Sequence, residues 1–308
     1  MTAAAPVIEA RGLVKRYGST TALDGADFTV GPGVTGLLGA NGAGKTTVLG
    51  LVLGLHRATE GSVAVLGLDP ASAGPEVRAR VGYSPEHHTL PPDTRAHDLV
   101  RHIAEVHGLP YRDATSRASD ALWQVGLGEE RYRPIGTMST GQRQRVKLAQ
   151  AIVHDPALVL LDEPTDGLDP TQRDDMLALI RRIGTEFGID IVLSSHLLEE
   201  VERICDAAVI LADGRVVASG SISELTAGAT GTVLVEVDEA ADAVAAALRD
   251  RGATVTVDGT YLTVSLEGRT GDEVYDVVRD AVVVAGAGIR RLTSRTVTLE
   301  QVFLAVGT

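Results

Sequence analysis

Between positions 33 and 209, short apolar runs alternate with longer stretches of helical period. GVTGLLG (33–39), ALVLLD (157–162) and DIVLSS (190–195) have the length of strands and little polar alternation, which predicts strands buried on both faces. Their alternation with helices predicts a layered α/β domain with parallel strands. Between the first two runs, 91–110 places Ala96, Leu99, Val100, Ile103 and Val106 on one helical face and ends at Gly108 and Pro110. A second helix over 113–125 follows, so about 88–155 reads as a helical insertion in the α/β core.

The pattern changes after position 225. TAGATG (226–231) is a small-residue linker; 232–238 alternates as a strand, 240–252 is helical, and 254–266 forms a hairpin around Asp258-Gly259. A helix over 272–288 and a strand over 288–294 complete a βαββαβ order, that of a small ferredoxin-like α+β layer, with 298–306 as a closing helix. The expected domains are 5–228 and 229–308. Two domains also suit a chain of 308 residues, too long for one compact core.

Composition narrows the partners. Aromatic residues make up 3% of the chain against 44% hydrophobic, so the core is built from aliphatic side chains. A net charge of −13 without a basic cluster argues against capture of nucleic acid or an anionic membrane surface. The opening residues lack a signal-peptide pattern, and no run of about 18 apolar residues occurs. The single cysteine, Cys205, excludes an internal disulfide, fits a reducing compartment and reads as a small buried hydrophobe. A cytoplasmic chain is expected, reaching a membrane only through a protein partner.

The sharpest chemical signal is GANGAGKTT (39–47), after one predicted strand and before a helical run. Its glycines let consecutive backbone N–H groups turn onto phosphate oxygens at a helix N-terminus. The loop comprises Gly39, Asn41, Gly42, Ala43, Gly44, Lys45, Thr46 and Thr47. Lys45 would reach the β- and γ-phosphates, and the Thr46 hydroxyl would ligate Mg²⁺. LVLLDEP (158–164) ends an apolar strand in two carboxylates at the same sheet edge. Asp162 would hold Mg²⁺, and Glu163 would polarise the attacking water as general base. His196 ends the next strand, within reach of a γ-phosphate.

Read with MSTGQ (138–142), these segments resemble, over about 7–225, the ATPase domain of the ABC family, a P-loop NTPase fold with a helical subdomain. The resemblance implies ATP and Mg²⁺ as ligands. It implies that Ser139, Gly141 and Gln142 serve the γ-phosphate of a second copy, in a head-to-tail dimer. It also makes Asp169 part of a loop communicating between the two sites, and it stacks Tyr17 on adenine. Four departures stand out. Glu86 occupies the position of the family's Gln and is a further candidate on the Mg²⁺ side; Met138 and Thr140 replace Leu and Gly in the signature. His97 stands where related exporters have Glu, with Asp98 as a neighbouring substitute. His87 and His88, lacking a third ligand, read as solvated loop residues rather than a metal site.

TLEQVFL (298–304) and the tail domain resemble bacterial exporter ATPases linked to drug and antibiotic resistance, whose membrane subunit is a separate polytopic chain. The expected role is therefore to energise export of a small hydrophobic compound from the inner face of the membrane. Another cargo, such as a lipid, polysaccharide or ion, is the alternative within the family. Soluble relatives acting on ribosomes or chromosomes carry two cassettes or long coiled coils, and this chain has one phosphate loop and no extended heptads. A binding module without turnover is disfavoured by Lys45, Glu163 and His196.

Overall fold

The computed structural model describes residues 5–87, 89–227, 232–266, 271–294 and 299. The described residues divide into two compact units, the first ending at Ile222 and the second beginning at Ser223. The first unit contains three strands that hydrophobic pattern did not flag. β1 (Ile8–Tyr17), β2 (Thr20–Val30) and β4 (Glu60–Val65) form an antiparallel sheet in the order β2-β1-β4. Pairing of β1 with β2 shifts register after Ala10 and again around Lys15, so its buried residues Ile8, Ala10, Leu13 and Val14 break the period of two.

The second sheet of this unit has six strands, of which β5 (Val81–Ser84), β6 (Leu158–Asp162), β7 (Asp190–Ser195), β3 (Val34–Leu38) and β8 (Ala207–Ala212) lie side by side and parallel. β9 (Arg215–Ser221) closes the edge antiparallel to β8. The parallel expectation holds for these five strands; β4, in the same stretch of sequence, belongs to the antiparallel sheet instead. Every residue of β3 and β6 is buried, as their unbroken apolar runs require. Two carboxylates fix the start of β3: Gly33 N donates to Asp190 and Val34 N to Asp206, at 2.8 and 2.9 Å. Arg181 donates to Asp206 at 2.8 Å, and this bond holds the Asp206 carboxyl below its ordinary range.

The helices of the first unit are α1 (Lys45–Val52), α2 (Gly74–Arg80), α3 (Ala96–Val106), α4 (Tyr111–Gln124), α5 (Thr140–Ile152), α6 (Pro170–Phe187) and α7 (Leu198–Ile204); α8 (Ile222–Ala227), after β9, begins at the boundary and all but its first residue falls in the second unit. α3 and α4 stand where the helical insertion was expected. The buried face of α3 is rotated from that expectation: Ala96, His97, Val100 and Ala104 are inside, Leu99 and Ile103 are half-buried, and Val106 is 68% exposed.

The second unit has β10 (Thr232–Val237), α9 (Ala241–Arg249), β11 (Thr254–Asp258), β12 (Tyr261–Ser265), α10 (Gly271–Ala285) and β13 (Ile289–Ser294). Its antiparallel sheet runs β11-β12-β10-β13, the ferredoxin-like order. Val233, Val235, Leu262 and Val264 of the sheet pack with Val244 and Leu248 of α9 and Val274 and Val278 of α10. Thr226 and Ala227, read as linker, end α8, and 228–231 lie outside the described residues. The expected closing helix over 298–306 also lies outside them, Leu299 apart.

Candidate active site at the strand ends

Three neighbouring strands, β6, β7 and β3, deliver the site to one sheet edge. The loop after β3 wraps into α1, whose N-cap is Gly44 with φ 109°. A Cβ there would sit 2.8 Å from the Ala22 carbonyl, so only glycine fits. Gly42, with φ 86°, has no atom within 4 Å of a Cβ position, and this leaves its backbone accessible from the pocket. Ala43 is buried, while Asn41 and Gly42 are exposed. A pocket of about 350 Å³ is lined by Asn41, Gly42, Gly44, Lys45, Thr46 and Thr47 on one side and by Glu86, Asp162 and Glu163 on the other. Gly39 does not line it; its carbonyl accepts from Lys45 Nζ at 2.7 Å.

Register brings the acids into place. Asp162 at the end of β6 pairs with Ser194 of β7, and Leu38 of β3 with Ser195. Ser194 Oγ donates to Asp162 Oδ1 at 2.5 Å and accepts from Glu163 N at 3.0 Å. Thr46 Oγ1 donates to the other Asp162 oxygen at 3.5 Å. Hydroxyl and carboxylate oxygens gathered in this way are the donor set of a hard divalent cation such as Mg²⁺. Glu163 has φ 46°, a left-handed backbone that costs a non-glycine residue about 1 kcal/mol or more. Its Oε1 lies 3.3 Å from Lys45 Nζ, at ion-pair distance but outside hydrogen-bonding geometry. The His196 imidazole, protonated at Nδ1, donates to its Oε2 at 2.9 Å.

The structure does not gather every expected residue. Ser139, Gly141 and Gln142 do not line the pocket. Ser139 is the N-cap of α5: its Oγ accepts from Gln142 N at 3.2 Å, and Gln142 Oε1 accepts from Ser139 N at 3.1 Å, a reciprocal capping box. Asp169 is the N-cap of α6, its Oδ1 accepting from Gln172 N at 2.9 Å. Tyr17 ends β1 at 43% exposure, edge-on to His56 and with Lys15 Nζ 4.7 Å from its ring centre. His97 turns inward to the Thr115 carbonyl, and Asp98 is half-buried. His87 stands exposed, 3.2 Å from Glu86, and His88 lies outside the described residues.

Sequence reasoning missed two buried ions beside the site. Glu200, 4% exposed, accepts from Thr165 Oγ1 at 2.8 Å and from Ser195 Oγ at 2.8 Å, and pairs with Arg173 at 3.4 Å. Lys147, 8% exposed, donates to the carbonyls of Glu86 and Pro85 at 2.9 and 3.4 Å. A charged residue on the inward face of a helix was the available signal for each.

Fold and side chains together define a phosphate-loop ATPase, with an ammonium, a carboxylate pair and a histidine at one sheet edge. The model of the ABC transporter family matches residues 23–166. Daunorubicin resistance ATP-binding protein DrrA3 of Streptomyces coeruleorubidus is 34% identical over 298 residues, 95% of this chain and 93% of the relative. Linearmycin resistance ATP-binding protein LnrL of Bacillus subtilis is 32% identical over 231 residues, 75% of this chain and 74% of the relative. Among solved structures, cbiO1 of Clostridium perfringens, part of the ABC transporter complex cbiONQ, superposes with TM-score 0.66 at 26% identity, covering 71% of this chain and 90% of that one. The chain belongs to the ABC transporter family as a nucleotide-binding, ATP-hydrolysing subunit.

Proposed function

We propose that the chain drives export of a small, hydrophobic, drug-like compound through a separate polytopic membrane subunit, from the inner face of the cell membrane. One observation carries this reading. The likeness to a daunorubicin resistance protein runs over 95% of the chain, so it takes in the second unit as well as the ATPase. No helix among the described residues is long and apolar enough to cross a membrane, so the pathway for the compound would belong to the partner.

In this reading the loop amides from Gly42 to Thr47 and the Lys45 ammonium bind the phosphates. Thr46 and Asp162, with Glu86 as a further ligand, would hold Mg²⁺, which neutralises charge on the phosphate oxygens when bound. Glu163 Oε2 accepts the proton of the attacking water. His196 donates from Nδ1 to Glu163, so Nε2 would donate to the γ-phosphate only with a second proton on the ring. Tyr17 stacks on the adenine. Ser139, Gly141 and Gln142 lie outside their own chain's pocket, which supports closure by a second copy placed head to tail, with Asp169 at the join. ATP then holds two faces together, and hydrolysis releases them.

Purification of the tagged chain from detergent-solubilised native membranes tests the proposal. Recovery of a polytopic membrane protein, whose deletion sensitises the cell to a hydrophobic antibiotic, is the expected result. Recovery of ribosomes instead overturns it.

A further inference from the structure

Among the described residues, the buried lysines are Lys45, in the phosphate loop, and Lys147, which the mechanism above does not use. Lys147 lies in the middle of α5, the helix that begins at Ser139. Its ammonium donates to the carbonyls of Pro85 and Glu86, the first residues after β5. One helical turn earlier, Gln144 Nε2 donates to the Asp166 carbonyl at 3.2 Å, three residues beyond Glu163. One face of α5 therefore grips both segments that enter the pocket opposite the phosphate loop. Burial lowers the Lys147 pKa, while the carboxylates of Asp166 and Glu86 act to raise it. Burial, and then the charges of Asp162 and Glu86, push the Tyr83 phenol up to about 12. Glu86, Asp162 and Glu163 thus bring three acids to one pocket. An amide at position 86 would add no charge there; a carboxylate adds a third negative charge to the pocket, which a cation nearby offsets.

We propose that Lys147 is a positioning residue of the hydrolysis site: anchored in α5, it holds the loop after β5 so that the Glu86 carboxylate serves the Mg²⁺ side of the pocket, and it offsets that charge. The idea rests on the placement of Glu86 given under Proposed function. It makes the position of α5, whose first turn would face a second copy, felt at the chain's own Mg²⁺ side. Lys147 touches no reacting atom; it acts through Glu86.

The test is binding of a non-hydrolysable fluorescent ATP analogue to the full chain, with Mg²⁺ and with EDTA, in Lys147→Met, Lys147→Arg, Glu86→Gln and the Lys147→Met/Glu86→Gln double variant. Lys147→Met should weaken the Mg²⁺-supported affinity about tenfold while changing the EDTA value less than about twofold. Lys147→Arg, which keeps charge and donors, should recover it to within about threefold. In the Glu86→Gln background the Lys147→Met step should shrink below about threefold. Equal losses with and without Mg²⁺, or an unchanged step in that background, overturn the proposal. If Lys147→Met does not fold, Lys147→Gln carries the same comparison. A Glu86→Gln chain with wild-type Mg²⁺ dependence removes the placement of Glu86, and the proposal with it. Unequal steps in the cycle keep the two failures apart.

Discussion

Lys45 Nζ lies 3.3 Å from Glu163 Oε1 while donating to the Gly39 carbonyl at 2.7 Å, so the ammonium proposed to bind a phosphate is also the counter-ion of the proposed general base. Both residues are buried, at 6% and 7% exposure. A phosphate entering the loop would compete with Glu163 for that ammonium and, by drawing it away, would leave Glu163 Oε1 without its counter-ion.

Glu163→Gln is therefore expected to do two things. Turnover should fall by about 10²-fold or more, the range of a lost general base. Affinity for an ATP analogue should rise, because Lys45 no longer divides its charge. Steady-state hydrolysis and fluorescence titration read the two effects, and turnover near wild type would remove Glu163 from its role.

Ser194→Ala should cost stability as well as rate. Ser194 Oγ both donates to Asp162 and accepts from the Glu163 amide, in a place where water has no access. Leaving those two groups unpaired costs about 1–3 kcal/mol. Urea unfolding should show a lower midpoint with an unchanged slope, and Ser194→Thr should recover part of the loss.

Glu200 ties the segment after Glu163, through Thr165, to the residue before His196, through Ser195. Glu200→Ala leaves two hydroxyls without their acceptor and the Arg173 side chain without its counter-ion, and a destabilisation of about 3 kcal/mol is expected for breaking a buried charged contact. Glu200→Gln keeps the shape and should fold better, yet turn over more slowly at similar nucleotide affinity. A Glu200→Gln chain with wild-type kcat would restrict this network to a structural role.

Acid should weaken the first unit through His154. Burial, and then neighbouring His107, stacked at 3.7 Å, lower its pKa from 6.5 to about 4. The unfolded chain binds this proton below 6.5 and the folded chain only near 4, so the contribution is intact above 6.5 and is lost as pH falls through that window. Melting temperature should drop between pH 7 and pH 5, and His154→Gln should flatten the slope. Parallel curves for the two proteins would contradict the assignment.

Much of the site was legible along the chain because each part of its chemistry is local. The phosphate loop needs glycines beside a lysine and a helix start, and Asp162 and Glu163 are consecutive at the end of a run that can only be a buried strand. β1 was not legible: its register shifts at Ala10 and Lys15 destroy the alternation that marks a strand. The rotation of α3 was hidden for a different reason. Its apolar stripe names candidates for burial, but α4 and α5 decide which of them are covered, and His97 and Ala104 went inside instead of Val106.

By itself, the sequence determined the α/β class, the ferredoxin-like second unit and the candidate groups of the site, since periodicity and turn chemistry act over a few residues. Tertiary structure alone decided the neighbours of those groups. The insertion of β7 between β6 and β3 put Ser194 on Asp162 and His196 on Glu163, and the packing of α5 brought Lys147 to the loop of Glu86. Those contacts join residues from about 30 to 60 positions apart, a range over which hydrogen-bond geometry is set by strand order and helix packing rather than by local pattern.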